Sequence, residues 1–329
     1  MAGREDRLTA WLANLAGSGD RIGDDAALLE IGERQLALSV DTQRANVHIP
    51  TDLDPAAAAR RLLAVSLSDL AATGAEPRWA LLALGLDDEQ SARRFLAALV
   101  RRSRRYGIEL IGGDTARSSS PGHLDASLTV IGEVPRGSHP LTRGAARAGD
   151  ELWVGGAVGE SGLGLELVRR GTRIAGRKAR LPEGLPPDLT RTASRVVRRH
   201  LEPRPQLELG LILGRRSPTG AAIDISDGLA VDAGRLCLAS DVGCVFEEAA
   251  IAPRADAGRL AAHVGLDPLE LVLGGGEDYV LLFTLPANAT FKHPGCRRIG
   301  HVSSRPGIGL LRRDGSLDPL SPEGWDHLA

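Results

Sequence analysis

The spacing of apolar positions changes several times along the chain, and each change marks an element. Leu8, Trp11, Leu12 and Leu15 recur at helical spacing before Gly17-Ser18-Gly19, which predicts a helix over residues 4–16 with the tryptophan on its core side. Runs at 26–31 and 35–40 read as two short strands, the second ending at Asp41. Asp54 is placed to cap a helix that opens with Pro55, runs through an Ala/Leu/Arg-rich stretch to about Thr73, and stops at Gly74. A buried-type strand at 79–86, a helix at 89–106 and strands at 109–112 and 124–134 complete the first half. Residues 135–150 lack any apolar period and read as a connection between domains. Beyond it come a strand at 151–155, a helix at 162–170 and an Arg/Gly/Pro-dense stretch at 171–188, expected to be a mobile surface excursion. A helix beginning at Pro205, a strand at 221–225, a helix at 227–240 and strands at 242–247, 279–285, 297–302 and 308–312 follow. Both halves alternate strand and helix, so the expected fold is α/β with two domains.

Composition narrows the function more than the fold. The 329 residues are 43% hydrophobic and 25% charged, enough for two ordinary cores. A formal net charge of −2 offers no field that would recruit nucleic acid or an anionic membrane. No apolar run approaches the roughly 18 residues of a membrane span. The opening Met-Ala-Gly-Arg-Glu-Asp-Arg has no signal-peptide core, and Cys237, Cys244 and Cys296 lack metal-ligand spacing. They read as reduced thiols of a cytoplasmic protein. Only Lys178 and Lys292 are lysines among 40 basic residues, and neither stands in a P-loop or kinase-strand context. If the protein uses ATP, metal ions and arginine must neutralise the phosphates.

The chemistry-bearing pattern is acidic. Gly23-Asp24-Asp25, Ser39-Val40-Asp41, Ser68-Asp69, Gly112-Gly113-Asp114, Asp224-Ile225-Ser226-Asp227 and Gly275-Gly276-Glu277-Asp278 recur along the chain, most of them at predicted strand ends or turns. Taken singly, each aspartate is first a turn former or helix N-cap. Gathered in one place the carboxylates would repel each other, so a common site requires bound cations. Mg²⁺ suits hard oxygen donors and substrate phosphates. Ser226 and Gly228 at the start of a predicted helix suggest free N–H groups for a phosphate. Gly112-Gly113 suggests close approach of backbone to ligand.

In this order the motifs identify a resemblance. Ile22 to Leu28, Leu63 to Ala75, Leu110 to Thr115, Leu141-Thr142-Arg143, Ala222 to Leu229 and Gly275 to Tyr279 resemble those of the thiamine-monophosphate kinase family. That family belongs to a superfamily with aminoimidazole-ribonucleotide synthetase, selenophosphate synthetase and a hydrogenase-maturation protein. The resemblance implies an N-terminal domain over 1–137, binding ATP and metal, whose sheet forms a barrel with that of a dimer mate. It implies a C-terminal sheet-plus-helices domain over 148–329 that closes over nucleotide and substrate. It further implies that Asp25, Ser39, Asp41, Asp69, Asp114, Asp224 and Asp227 ligate several Mg²⁺ ions, with Val40 lending its carbonyl. Asp41, Asp114 and Asp224 would be the core of catalysis. Gly113, Asp114, Arg143 and Ser226 would contact ATP, and His48, Glu277 and Trp325 the thiamine monophosphate. The implied reaction is in-line transfer of the ATP γ-phosphoryl group to thiamine monophosphate in a homodimer.

One segment departs from the family. After Asp41 the family is aliphatic and small, whereas this chain reads Thr42-Gln43-Arg44-Ala45-Asn46-Val47-His48. That leaves two further readings: a paralogue with the same ATP and metal machinery but another acceptor, with Arg44 gripping an anionic group, and a catalytically silent nucleotide-binding regulator.

Overall fold

The computed structural model describes residues 3–17, 22–118, 120, 123–175, 178–181, 184–216 and 220–321. The chain divides into two compact bodies, one built from Asp25–Pro140 with Glu202–Arg216, the other from Met1–Asp24, Leu141–Leu201 and Ser217–Ala329. The helices in chain order are α1 (Arg4–Ala16), α2 (Pro55–Thr73), α3 (Glu89–Arg105), α4 (Glu160–Arg169), α5 (Thr190–Leu201), α6 (Leu207–Gly214), α7 (Leu229–Ala239), α8 (Glu248–Ile251), α9 (Ala255–His263) and α10 (Pro268–Gly274). The strands of the first body are β1 (Ala27–Ile31), β2 (Arg34–Arg44), β3 (Glu76–Gly85), β4 (Glu109–Ala116) and β5 (Asp125–Glu133). Those of the second are β6 (Glu151–Val154), β7 (Arg173–Ala175), β8 (Lys178–Arg180), β9 (Ala222–Asp224), β10 (Gly243–Glu247), β11 (Leu281–Leu285), β12 (Arg297–Ser303), β13 (Gly307–Leu311) and β14 (Leu317–Leu320).

The first body is a sheet of order β1-β2-β5-β3-β4, antiparallel except for the parallel pair β3/β4. Helix α2 is its keystone. Asp54 accepts from the amides of Ala56 and Ala57, Pro55 sits in the first turn, and Gly74 ends the helix at φ 72°. Almost all of α2 is buried, because β2, β5, α3 and α6 pack around it. Leu62, Leu63, Leu67 and Leu70 there meet Ala37, Leu82, Leu128 and Val130 from the sheet. Among the described residues no helix covers the opposite sheet face: Val40, in register with Thr129 and through it with Leu81, is 63% exposed.

The second body holds a sheet of order β14-β13-β10-β12-β6-β11-β9, in which only β10/β13 run parallel. Its core joins Leu152, Val154, Ile223, Leu282 and Phe246 to α7 through Leu229, Ala233 and Leu236. Three expectations change here. The 171–188 stretch is not a bare excursion, since β7 pairs with β8 across it. Helix α6 begins at Leu207, two residues after Pro205. Trp11 is not a core residue: it stands 59% exposed on α1 beside exposed Leu8, Leu12 and Leu15. Among the described residues no helix is long and apolar enough to cross a membrane.

Candidate active site

In the first body Asp25, Ser39, Asp41 and Asp69 converge under α2. Side chains at odd positions of β2 face that helix, so Ser39, Asp41 and Gln43 form one inward polar row. Asp69, one turn beyond Ser66 on α2, accepts a short hydrogen bond from the Ser39 hydroxyl. Asp25, buried at the start of this body, brings a carboxylate oxygen within 4.8 Å of one from Asp69. Burial pushes the Asp41 carboxyl up to about 6, with Ser66 and Asp69 pulling the other way. Asp41 Oδ2 is sealed from solvent and has no hydrogen-bond partner among the described residues, and Gln43 Oε1 shares that condition. A sealed carboxylate oxygen beside other carboxylates is unfavourable unless a cation completes it. The donors are all hard oxygens, which suit Mg²⁺. Val40, between these residues, points its side chain to the uncovered face.

Asp114 and Gly113 are not neighbours of this cluster. Asp41 is in register with Leu128, Leu128 with Leu82, and Leu82 with Gly113, so three strand spacings, roughly 14 Å, separate them. Asp114 is exposed on β4, which continues through both glycines instead of ending at Gly112. Gly113 is required by packing: at its φ of 155°, a Cβ would stand 1.9 Å from the Leu82 carbonyl oxygen. Gln43 and Arg44 are strand residues, and Arg44 leaves from the face opposite Gln43. His48 lies in the turn after β2, where its Nδ1 accepts from the Arg44 amide at 3.1 Å and Asn46 takes φ 64°.

In the second body Asp224 is buried at the end of β9, in register with Leu281. The turn that follows is fastened on two sides. Its amides at Ser226, Asp227 and Gly228 all donate to Asp232 Oδ2, at 3.0, 3.0 and 3.1 Å. The start of α7 is therefore not an open anion hole, as the sequence suggests, because a carboxylate from within the helix already fills it. Ser226 offers a phosphate its hydroxyl instead. From the other side the Glu277 and Tyr279 amides donate to the carbonyls of Ser226 and Ile225, at 2.5 and 2.8 Å. Gly276 allows this approach, since a Cβ there would stand 2.9 Å from the Ser226 carbonyl oxygen. Glu277 and Tyr279 both take positive φ, 55° and 49°, a strained conformation for residues with side chains.

Residues absent from the sequence expectations complete this turn. Arg235 Nη1 reaches Asp227 Oδ2 at 2.5 Å and Asp232 Oδ1 at 2.9 Å, and these carboxylates hold its guanidinium well above the usual range. Buried His200 sits 3.1 Å from Glu277 Oε2 and 3.2 Å from Ser161 Oγ, both through Nδ1. One nitrogen serving both contacts is not a Ser-His-acid relay, which needs the two ring nitrogens. Asp278 accepts from the Gly159 and Ser161 amides at 2.6 and 2.9 Å, capping α4, and burial pushes it up to about 6. Arg143 is anchored at the Gly23-Asp24 turn, where its Nη1 donates to the Gly23 carbonyl at 2.9 Å and its amide faces the Asp24 carboxylate. Trp325 lies outside the described residues.

Comparison with known proteins gives the family. The family model described as AIR synthase related protein, N-terminal domain, matches residues 23–134, and its C-terminal counterpart matches residues 147–312. A thiamine-monophosphate kinase of Escherichia coli (strain K12) is 39% identical over 320 residues, covering 94% of this chain and 91% of the relative. Another, from Aquifex aeolicus (strain VF5), is 30% identical and covers 93% and 92%. Among solved structures, AaThiL complexed with AMPPCP and TMP matches with TM-score 0.84 at 28% identity, over 99% of this chain and 97% of that one. The thiamine-monophosphate kinase of Stenotrophomonas maltophilia K279a matches with TM-score 0.72 at 31% identity, over 96% and 98%. On these matches, the chain belongs to the thiamine-monophosphate kinase family of AIR synthase related proteins.

Proposed function

We propose that this protein transfers the γ-phosphoryl group of ATP to the phosphate of thiamine monophosphate, giving thiamine diphosphate and ADP. The observation that carries the reading is the sealed, unpartnered Oδ2 of Asp41 beside Asp69 and Ser39, a carboxylate built to meet a cation. Two polyanions must meet in this reaction. Bound Mg²⁺ supplies the positive charge that lets them do so and that stabilises the transferring group. Asp25, Ser39, Asp41 and Asp69 hold metal from the first body, with the Val40 carbonyl. Asp114 holds another ion from the β4 edge, and Asp224 and Asp227 ligate from the second body. Gly113, Arg143 and Ser226 contact the nucleotide; Arg143 takes the role that a P-loop lysine has elsewhere. His48, Glu277 and Trp325 hold the acceptor. Its phosphate is already an anion at neutral pH, so no strong general base is required, and the chain's work is positioning.

The protein acts as a homodimer in the cytoplasm. Support for the dimer comes from the uncovered sheet face, where Leu38, Val40, Trp79, Leu81 and Ile131 leave an apolar surface that a second copy would bury. Support for a reducing compartment comes from three free cysteines, two of them buried. Incubating purified protein with ATP, Mg²⁺ and an equimolar mixture of thiamine monophosphate, thiamine and other phosphate monoesters tests the reaction. Mass spectrometry is expected to find thiamine diphosphate as the phosphorylated product. ADP accompanied by a different phosphorylated acceptor would overturn the acceptor assignment, and nucleotide binding without any product would overturn the enzymatic one.

A further inference from the structure

The turn between β9 and α7 is shaped by an anion that belongs to the protein. Gly228 opens α7 with no side-chain cap of its own. Asp232, one turn into the helix and fully buried, folds back and gathers the amides of Ser226, Asp227 and Gly228 on a single oxygen. Its other oxygen accepts from Arg235 Nη1 at 2.9 Å, and the same nitrogen holds Asp227 Oδ2 at 2.5 Å. Arg235 Nε is fixed in turn by Asp6 Oδ1 of α1, at 3.1 Å. A fully buried carboxylate is strongly unfavourable unless compensated, and three amides with one guanidinium offset part of that cost. Part of the cost of shaping the turn is therefore offset inside the fold, before any ligand arrives.

We propose that Asp232 and Arg235 are positioning residues that preset the Ser226–Gly228 turn for Mg·ATP: Asp232 fixes the backbone, and Arg235 fixes the carboxylate of Asp227. Neither touches the reacting atoms. The proposal rests on the reading that Ser226 and Asp227 serve nucleotide and metal. It differs from a bland stabilising role in predicting a local effect, confined to this turn and to nucleotide binding. Asp6 makes the N-terminal helix part of the clamp, so Asp6→Asn is expected to loosen Arg235 in the same direction and by less.

Hydrogen exchange of the nucleotide-free full chain, followed by mass spectrometry, tests it together with kinetics, on wild type, Asp232→Ala, Arg235→Gln and Arg235→Lys. In Asp232→Ala the amides of Ser226–Gly228 are expected to exchange at least about tenfold faster while β11 and β12 keep wild-type protection. The KM for Mg·ATP should rise by about tenfold or more, with a smaller change in kcat. Arg235→Gln should raise KM as well, and Arg235→Lys, which keeps one charged donor, should fall between it and wild type. Unchanged exchange at the turn, or a rise spread evenly over the sheet, would overturn the proposal. If Asp232→Ala does not fold, Arg235→Gln decides: a raised KM with partial rescue by Lys supports presetting, and a wild-type KM overturns it. A wild type that makes no thiamine diphosphate overturns the functional reading alone, because exchange and binding of a non-hydrolysable ATP analogue still report on the turn.

Discussion

The two bodies treat their buried carboxylates in opposite ways. Under α2, Asp41 keeps an oxygen sealed from water with no hydrogen-bond partner among the described residues, next to Asp69 and Gln43. At α7, every oxygen of Asp232 is engaged, by three amides and Arg235. Both arrangements are costly to build, and burial with the neighbouring Asp227 still pushes the Asp232 carboxyl up to about 7, but only in the second is each oxygen hydrogen-bonded within the protein. The contrast teaches which carboxylates await a ligand: those with an unbonded oxygen are candidates for metal, and those already hydrogen-bonded shape their own turn. Counting aspartates in motifs does not separate the two classes, because Asp227 and Asp232 lie five residues apart and do different work.

Substitution should therefore change stability with opposite sign in the two places. Asp41→Asn is expected to lower kcat by at least about a thousandfold, since the proposed metal site loses a ligand. The same change should raise the stability of the metal-free protein by about 1–3 kcal/mol, because an unpaired buried charge is removed and the amide can donate to Asp69. Asp232→Asn should instead destabilise by about 2–4 kcal/mol, because it removes the charge that gathers three amides and turns an amide donor on them or on Arg235. Denaturant titration without metal measures both, and equal signs would break the comparison.

Asp278 sharpens it, being compensated only by the two α4 amides and the field of Arg199. Its folded value of about 6 lies above the ordinary 3.8, so its contribution to stability is fully present below pH 4 and is lost as pH rises through 6. The stability difference between wild type and Asp278→Asn should accordingly change by up to about 3 kcal/mol between pH 4 and pH 7. A difference that stays flat over that interval would contradict the assignment. The smallest change in monomer stability is expected on the uncovered sheet face. Val40→Arg should leave it within about 0.5 kcal/mol of wild type while converting the proposed dimer to monomers, read by light scattering after gel filtration.

Much of the framework was legible because punctuation residues act locally. Asp54, Pro55 and Gly74 bound α2 as the residue types require, and the alternation along β5 agrees with a half-buried strand. The two-domain α/β class followed from the same signals. Where reading stopped short, long-range packing intervened. Gly112-Gly113 looks like the end of a strand, yet β4 runs on because Gly113 lets the backbone pass close to the Leu82 carbonyl. Trp11 matches an apolar helical stripe but lies exposed, since periodicity identifies a face and not what covers it. The acidic set was visible as motifs, whereas Asp232 and Arg235 occupy ordinary polar positions of the predicted 227–240 helix, and His200 lies on α5, a helix that the sequence reading does not predict. Their burial comes from tertiary contacts with the β9–α7 and Gly275–Tyr279 turns, which no local spacing announces. The available signal was a carboxylate four residues into a helix whose N-cap is a glycine.

The most direct test of the account is a single-turnover reaction in which excess wild-type enzyme or excess Asp41→Asn meets ATP, Mg²⁺ and limiting thiamine monophosphate, with thiamine diphosphate followed by mass spectrometry. The account predicts complete conversion by wild type and essentially none by the folded, ATP-binding variant. Equal rates from the two proteins, or no thiamine diphosphate from wild type, would contradict it.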